Sequence, residues 1–438
     1  RGGALFFASS DGEPPRLVGD FNGWGETGQD TEMARIGASR SFHRFVPLDP
    51  AARVEYRIDQ AGRATLDPSN PNRVEAFEGQ HSEVRMPGYA PPAELELPLP
   101  NARGRLVEFQ HRSASLKNER LVRVYLPPDY DGDDRLYPSV WLGDGTLFRE
   151  HLLLPERLDQ LIARREIEPL IAIFLDPVER GLEYRAHAGY RRMITEELLP
   201  IVERAYRVER VPERRAVAGC SRGGLAALDL ALRRPDLFGQ IGVIAPALSP
   251  LTATALLTDT DPKTQRFFIL GLRYDVRFGA DADSLTRALA TGGAWVDYTV
   301  LSEGHTLATW AGRFPELLAM LFPADGEKES HENRRSGSST TDPCRRVIPR
   351  RRGRGGFHSR SRCRFRAVAA PCAPRLPARD RHRSHGARSR PRLLRRGSVP
   401  ARRSLGGGPD LVPHSVGDPF LPADVRAARR HGCLPPGP

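Results

Sequence analysis

The chain runs to 438 residues, long enough for two or three domains around a sizeable core. Its formal charge of +12 invites a nucleic-acid reading, yet roughly 27 of the basic and roughly 9 of the acidic residues lie beyond Pro323. The first three quarters are therefore mildly acidic, which sets nucleic acid aside as their partner, and no apolar run is long enough to span a membrane as a helix.

Residues 1–98 predict short strands separated by turns. Leu5–Ala8, Arg16–Val18, Ser41–Val46 and Arg53–Ile58 carry apolar or alternating patterns, and Asp11-Gly12, Asn22-Gly23 and Ala61-Gly62 break them. The expectation is a small β-sandwich. Prolines crowd the stretch from Pro87 to Pro100, which reads as a semi-rigid linker.

From residue 104 to 323 strands alternate with helical stretches, the pattern of a mostly parallel sheet with helices on both faces. Leu121–Leu126, Ser139–Leu142, Leu170–Leu175, Arg215–Ala218, Ile241–Ile244, Phe267–Leu270 and Val296–Leu301 are the predicted strands. Leu147–Arg165, Tyr190–Tyr206, Leu225–Arg233, Asp283–Thr291 and Phe314–Phe322 have helical spacing of apolar residues. Ile171–Leu175 is apolar on both faces, as a central parallel strand requires.

Residues 324–438 show neither period. They are crowded with Arg, Pro, Ser and Gly and bury too little apolar surface to offset the entropy of ordering. The tail is expected to be disordered or non-native, a frame slipped near Ser330–Asp342, ahead of a nucleic-acid-binding or interaction arm. Cysteines divide at the same boundary. Cys220 alone precedes the tail, and Cys344, Cys363, Cys372 and Cys433 have no regular ligand spacing, so neither a disulfide framework nor a metal site is expected. This fits a reducing, cytoplasmic setting; a periplasmic one stays open because the sequence starts on Arg1 and a leader could precede it.

The sharpest chemical signal is Gly219-Cys220-Ser221-Arg222-Gly223-Gly224. It follows a predicted strand and opens a predicted helix, the setting of a nucleophile elbow, in which glycines two residues either side of the serine avoid Cβ clashes. A serine hydroxyl is a weak nucleophile without a base. His305, in Ser302-Glu303-Gly304-His305-Thr306 after the last predicted strand, stands in the right chain order; His151 and His187 precede the serine and fit poorly. The carboxylate that orients the base should follow an intervening strand. Asp275 is the first choice, with Asp281 and Asp283 as alternatives that could instead cap a helix. Oxyanion donors are expected at the backbone N–H of Arg222 and in Trp141-Leu142-Gly143-Asp144-Gly145, at Gly145. Arg180, Arg185, Arg222, Arg273 and Arg277 fall beyond strand ends or in the elbow, where several cations would suit an anionic ligand.

Taken together these pieces resemble the enterochelin-esterase family, α/β-hydrolases that open the ester bonds of catecholate siderophores. Val124-Tyr125-Leu126-Pro127-Pro128-Asp129-Tyr130, Trp141–Gly145, Arg180-Gly181-Leu182-Glu183-Tyr184, Glu197-Leu198-Leu199-Pro200, the Ser221 elbow and Gly304-His305-Thr306 with Trp310 carry the likeness. Gly19-Asp20-Phe21-Asn22-Gly23-Trp24 and Asp67-Pro68-Ser69-Asn70-Pro71 look like the early-set sandwich found ahead of such esterases. Gly143 departs from the family, which has a bulkier residue there, and Asp275 stands where a glutamate-type pattern is expected. The resemblance implies a serine esterase without metal or cofactor, acting on a small-molecule ester such as a ferric siderophore. Arg180, Asp144 and Trp310 are its candidate substrate-binding residues. Related folds hydrolyse feruloyl or acetyl esters of carbohydrates or transfer acyl groups, and an inert glucan-binding protein is the rival from another class. Oligomeric state is not set by the sequence.

Overall fold

The computed structural model describes residues 2–26, 28–77, 79–92 and 98–324. The expectations for the tail from residue 325 onward and for part of the proline linker lie outside the described residues.

The first strands are β1 (Gly3–Ser9), β2 (Arg16–Gly19), β3 (Ala34–Arg35), β4 (Ser41–Pro47), β5 (Arg53–Gln60), β6 (Arg63–Thr65), β7 (Arg73–Ala76) and β8 (Gly79–Arg85). They form a three-stranded sheet, β1-β4-β3, and a second sheet, β2-β5-β8-β7, with β6 added on β5. Phe6, Leu17, Phe42, Val54 and Tyr56 fill the space between them. The strands that sequence periodicity missed have a physical reason for hiding. In β8 the buried residues include Ser82 and Glu83, and Glu83 is tolerated there because Arg53 pairs with it.

The second region is an eight-stranded sheet in the order β16-β15-β14-β13-β11-β12-β10-β9. Its strands are β9 (Arg105–Arg112), β10 (Glu119–Leu126), β11 (Ser139–Gly143), β12 (Ile171–Leu175), β13 (Arg215–Cys220), β14 (Gln240–Ile244), β15 (Arg266–Leu272) and β16 (Trp295–Leu301). β9 and β10 are antiparallel, β10 meets β12 antiparallel, and the six strands β12, β11, β13, β14, β15 and β16 run parallel. This is the α/β-hydrolase sheet. Every residue of β12, β13 and β14 is buried, and each fully buried Val, Leu, Ile or Phe contributes about 1.5–3 kcal/mol. Two apolar clusters cover the two faces. Met193, Leu228 and Phe238 belong to one; Phe148, Trp310 and Leu318 belong to the other. The edge strand β9 was not foreseen, because its charged, half-exposed residues carry no apolar run.

Helices fill the crossovers: α1 (Leu154–Ala163), α2 (Arg180–Glu183), α3 (Ala188–Arg192), α4 (Leu199–Ala205), α5 (Ser221–Arg233), α6 (Pro250–Leu257), α7 (Gly279–Thr291) and α8 (Leu307–Leu321). The single helix expected over Leu147–Arg165 is broken. A π turn, Leu147–His151, ends at Leu153 in the left-handed region, and α1 restarts with Pro155 in its first turn. Proline lacks the N–H that an interior position would donate, so a helix accepts it only near its start. The stretch Tyr190–Tyr206 divides in the same way, with a π turn at Met193–Leu198 ahead of Pro200. Glu197 in that turn accepts backbone N–H groups of Ala114 and Ser115 and approaches His111, which anchors the β9–β10 hairpin. Burial opposes its charge, but hydrogen bonds from Ser115, His111 and Ser113 outweigh this and draw the carboxyl down to about 2.

Candidate active site

β13 delivers the elbow at the carboxyl end of the sheet. Cys220 is extended, Ser221 has φ 53°, and α5 begins at that serine. An L residue reaches the left-handed region only where its surroundings enforce it. Here the turn is so tight that a Cβ on Gly219 would lie 2.6 Å from the backbone of Gly223. The reversal projects the serine side chain from the strand end while its backbone stays packed, with Ser221 only 3% exposed. Cys220 points into the core, and burial pushes its thiol well above its ordinary range, so it is a packing residue and no second nucleophile.

Two loops meet this elbow. The loop after β15 carries Asp275, and the loop after β16 carries His305. They are tied together by backbone hydrogen bonds from Arg273 N–H to Leu301 and from Tyr274 N–H to Glu303. The result is a line of three side chains. Ser221 Oγ lies 2.9 Å from His305 Nε2, and His305 Nδ1 lies 2.8 Å from Asp275 Oδ2. A carboxylate only accepts, so the Nδ1–H donates to Asp275 and Nε2 is left to accept the serine hydroxyl proton. Asp275 is itself fixed, because its other oxygen accepts the N–H of Phe278. The alternatives separate cleanly from it. Asp281 sits in the first turn of α7 and Asp283 accepts the Tyr298 hydroxyl.

The imidazole is enclosed by rings, with Phe278 at 5.8 Å and Trp310 at 5.3 Å between centroids. Trp310 corrects an expectation. It is fully buried in α8 between His305 and Phe77, so it backs the imidazole and offers no surface to a substrate. Asp144 and Arg180 need the same correction. Arg180 donates from Nε and Nη2 to the two carboxylate oxygens of Asp144 at 2.8 and 2.9 Å, and both residues are 7% exposed. Each neutralises the other, and neither presents a free charge to a ligand.

The expected oxyanion donors stand at helix starts, where N–H groups have no intrahelical acceptor. Arg222 is the second residue of α5, and Gly145 begins the helical turn that follows β11. The Asp144 N–H between them and the strand is already donated to the Tyr184 hydroxyl at 2.7 Å. Among the remaining rim cations, Arg277 pairs with Glu26 of the sandwich, while Arg273 is half-exposed with Asp49 at 3.9 Å.

Sequence reasoning missed how the sandwich contributes. Arg53 of β5 donates its backbone N–H to Ser302, and its guanidinium reaches Thr306 Oγ1 at 3.2 Å, so it grips both sides of the His305 loop. The same guanidinium pairs with Glu55 and Glu83, whose attraction keeps it charged against the opposing effect of burial. The Asp20 carboxylate lies against Gly304, where a Cβ would come within 2.0 Å of Asp20 Cγ. The Gly19–Trp24 string did flag this turn, but nothing in it pointed to the histidine.

A sheet bearing an elbow serine, a histidine after its last strand and a buried carboxylate has the arrangement of an α/β-hydrolase. The Esterase family model matches residues 113–333, and the chain belongs to that family. The chain is similar to the iron(III) enterobactin esterase of Escherichia coli O6:H1, with 29% identity over 190 residues, 41% of this chain and 45% of that protein. It is also similar to an endo-1,4-beta-xylanase/feruloyl esterase of Xylanibacter ruminicola, with 24% identity over 50% of this chain and 31% of that one. It thus spans less than half the length of these curated relatives. The solved structure of ferric enterobactin esterase from Salmonella typhimurium superposes with a TM-score of 0.61 at 19% identity. The match covers 72% of this chain and 92% of that one and shows the common fold.

Proposed function

We propose that the protein is a serine esterase that hydrolyses a siderophore-type carboxylic ester. The observation that carries this reading is the Ser221–His305–Asp275 line, with both links inside hydrogen-bonding distance. Ser221 Oγ attacks the ester carbonyl while His305 Nε2 takes its proton. Asp275 holds the imidazole in the tautomer that makes this possible and stabilises the imidazolium that forms. The N–H groups of Arg222 and Gly145 receive the developing oxyanion; a donor of this kind is typically worth about 10²–10³ in rate. His305 then protonates the departing alcohol. A water, deprotonated by the same imidazole, frees the acid from Ser221.

The siderophore assignment is supported by the likeness to the enterobactin esterase over 41% of this chain and by the fold shared with the ferric enterobactin esterase structure. A second reading, an esterase for feruloyl or acetyl groups on carbohydrate, is favoured by the half-chain similarity to the xylanase/feruloyl esterase. Hydrolysis of an iron-loaded catecholate trilactone is to be compared with that of a feruloylated sugar, with Ser221→Ala as the blank. Faster turnover of the trilactone supports the first reading, and faster turnover of the sugar ester replaces it with the second. Turnover of both by Ser221→Ala at the wild-type rate sinks the esterase mechanism.

A further inference from the structure

We propose that Arg180 and Tyr184 are positioning residues that hold the oxyanion loop in its working shape, acting through Asp144. The proposal rests on the esterase reading above.

The starting observation is backbone strain next to the site. Asp144 has φ 56°, a conformation an L side chain keeps only where its neighbours impose it. Two neighbours do so. The Tyr184 hydroxyl accepts the Asp144 N–H at 2.7 Å, and Arg180 clamps the carboxylate with two parallel bonds at 2.8 and 2.9 Å. All three residues are buried, so water does not compete for these bonds. With the nitrogen and the side chain of Asp144 both fixed, the next peptide has little freedom, and that peptide carries the Gly145 N–H. The hydroxyl also accounts for Gly143: a Cβ there would lie 2.5 Å from the Tyr184 oxygen, so the bulkier residue expected from the family has no room.

Charge supplies the second half of the argument. The Asp144 carboxylate abuts the start of α5, where a Cβ on Gly223 would lie 2.9 Å from its Oδ2. A bare negative charge at that point opposes the oxyanion that develops at the elbow. Arg180 cancels it. The segment is anchored from behind by Glu183, which accepts the N–H groups of Val178 and Glu179 and pairs with Arg120 of β10. Arg180, Glu183 and Tyr184 thus have one common task, and contact with substrate is no part of it.

This arrangement predicts an asymmetry that a merely structural role does not. Arg180→Met leaves the carboxylate uncompensated, and kcat for an activated aryl ester falls about 100-fold with KM within about twofold. Asp144→Asn removes the charge with its partner in place, and kcat falls only about tenfold. The double variant Arg180→Met/Asp144→Asn is faster than Arg180→Met alone. Tyr184→Phe deletes a single oxygen and lowers kcat about tenfold, which keeps the proposal testable if Arg180→Met does not fold. Affinity for an arylboronic acid, which places an oxygen in the oxyanion site on binding Ser221, falls in step with kcat. The proposal is overturned if Tyr184→Phe and every folded Arg180 variant keep wild-type kcat and boronate affinity. It is overturned equally if the losses appear in KM alone. Ser221→Ala separates the two levels. If it is inactive while the brace variants are unaffected, only the brace fails; if it turns over like wild type, the esterase reading fails and takes the brace with it.

Discussion

Ser221 and His305 lie 2.9 Å apart but are held by different means. The serine belongs to an elbow assembled from neighbours in the chain: β13, the turn at Gly219–Gly224 and the first residues of α5. The histidine stands on a loop whose backbone is gripped from outside the hydrolase sheet, by Arg53 and Asp20 of the sandwich. One half of the site is local and the other is long-range. The lesson is that the sandwich helps set the candidate site, because Arg53 and Asp20 add contacts at Ser302, Gly304 and Thr306 to those the hydrolase region makes with the same loop.

Three substitutions probe this contrast, taken from the largest effect to the smallest. Asp275→Asn leaves both halves in place but no longer holds the imidazole in the tautomer the serine requires, so kcat falls on the order of 10⁴-fold with little change in thermal midpoint. A loss of only a few-fold would move the orienting role elsewhere. Arg53→Met breaks the long-range half. It strips Glu55 and Glu83 of their buried partner, which typically destabilises by about 3–5 kcal/mol, and removes one of the bonds that hold Thr306. A denaturant midpoint well below wild type is expected, together with a kcat reduced about tenfold in the protein that remains folded. Unchanged kcat in folded protein would show that the histidine loop needs no help from the sandwich.

The smallest effect concerns pH. Burial, and then the negative charge of Glu55, hold the Asp20 carboxyl well above the usual carboxylate range, against hydrogen bonds from Glu55 N–H and Trp24 and the attraction of Arg53. A folded-state value above the unfolded one means that folding takes up a proton. The stability this gives is fully present below the unfolded carboxylate value and is lost as pH rises through the folded one. Wild type should therefore lose thermal stability relative to Asp20→Asn as pH is raised from about 4 to about 8. Parallel melting curves for the two proteins across that range would contradict the assignment.

What the sequence makes legible follows the same division. The central strands of the hydrolase sheet are continuous apolar runs, and the elbow is a six-residue string between a strand and a helix, so both are written locally. His305 was readable from chain order. Asp275 was readable only as one of three nearby aspartates, because spacing does not reveal that Asp281 and Asp283 fall inside α7. The misassigned residues were those whose partners are distant in sequence. Asp144 and Arg180 looked like open charges until the fold paired them, and Trp310 looked like a ligand contact until α8 placed it behind the imidazole. In β8, Glu83 is interior because Arg53 reaches it and Ser82 because its hydroxyl accepts the Asp67 N–H, pairings that hydrophobic periodicity has no means of expressing.

The central claim is that Ser221 is a nucleophile activated by His305. A fluorophosphonate, which reacts only with an activated serine, tests it most directly. Incubation with full-length protein followed by peptide mass mapping should place one phosphonyl group per chain on Ser221. His305→Ala should slow that labelling by several orders of magnitude. Labelling at another residue, or at Ser221 with equal speed in His305→Ala, would contradict the account.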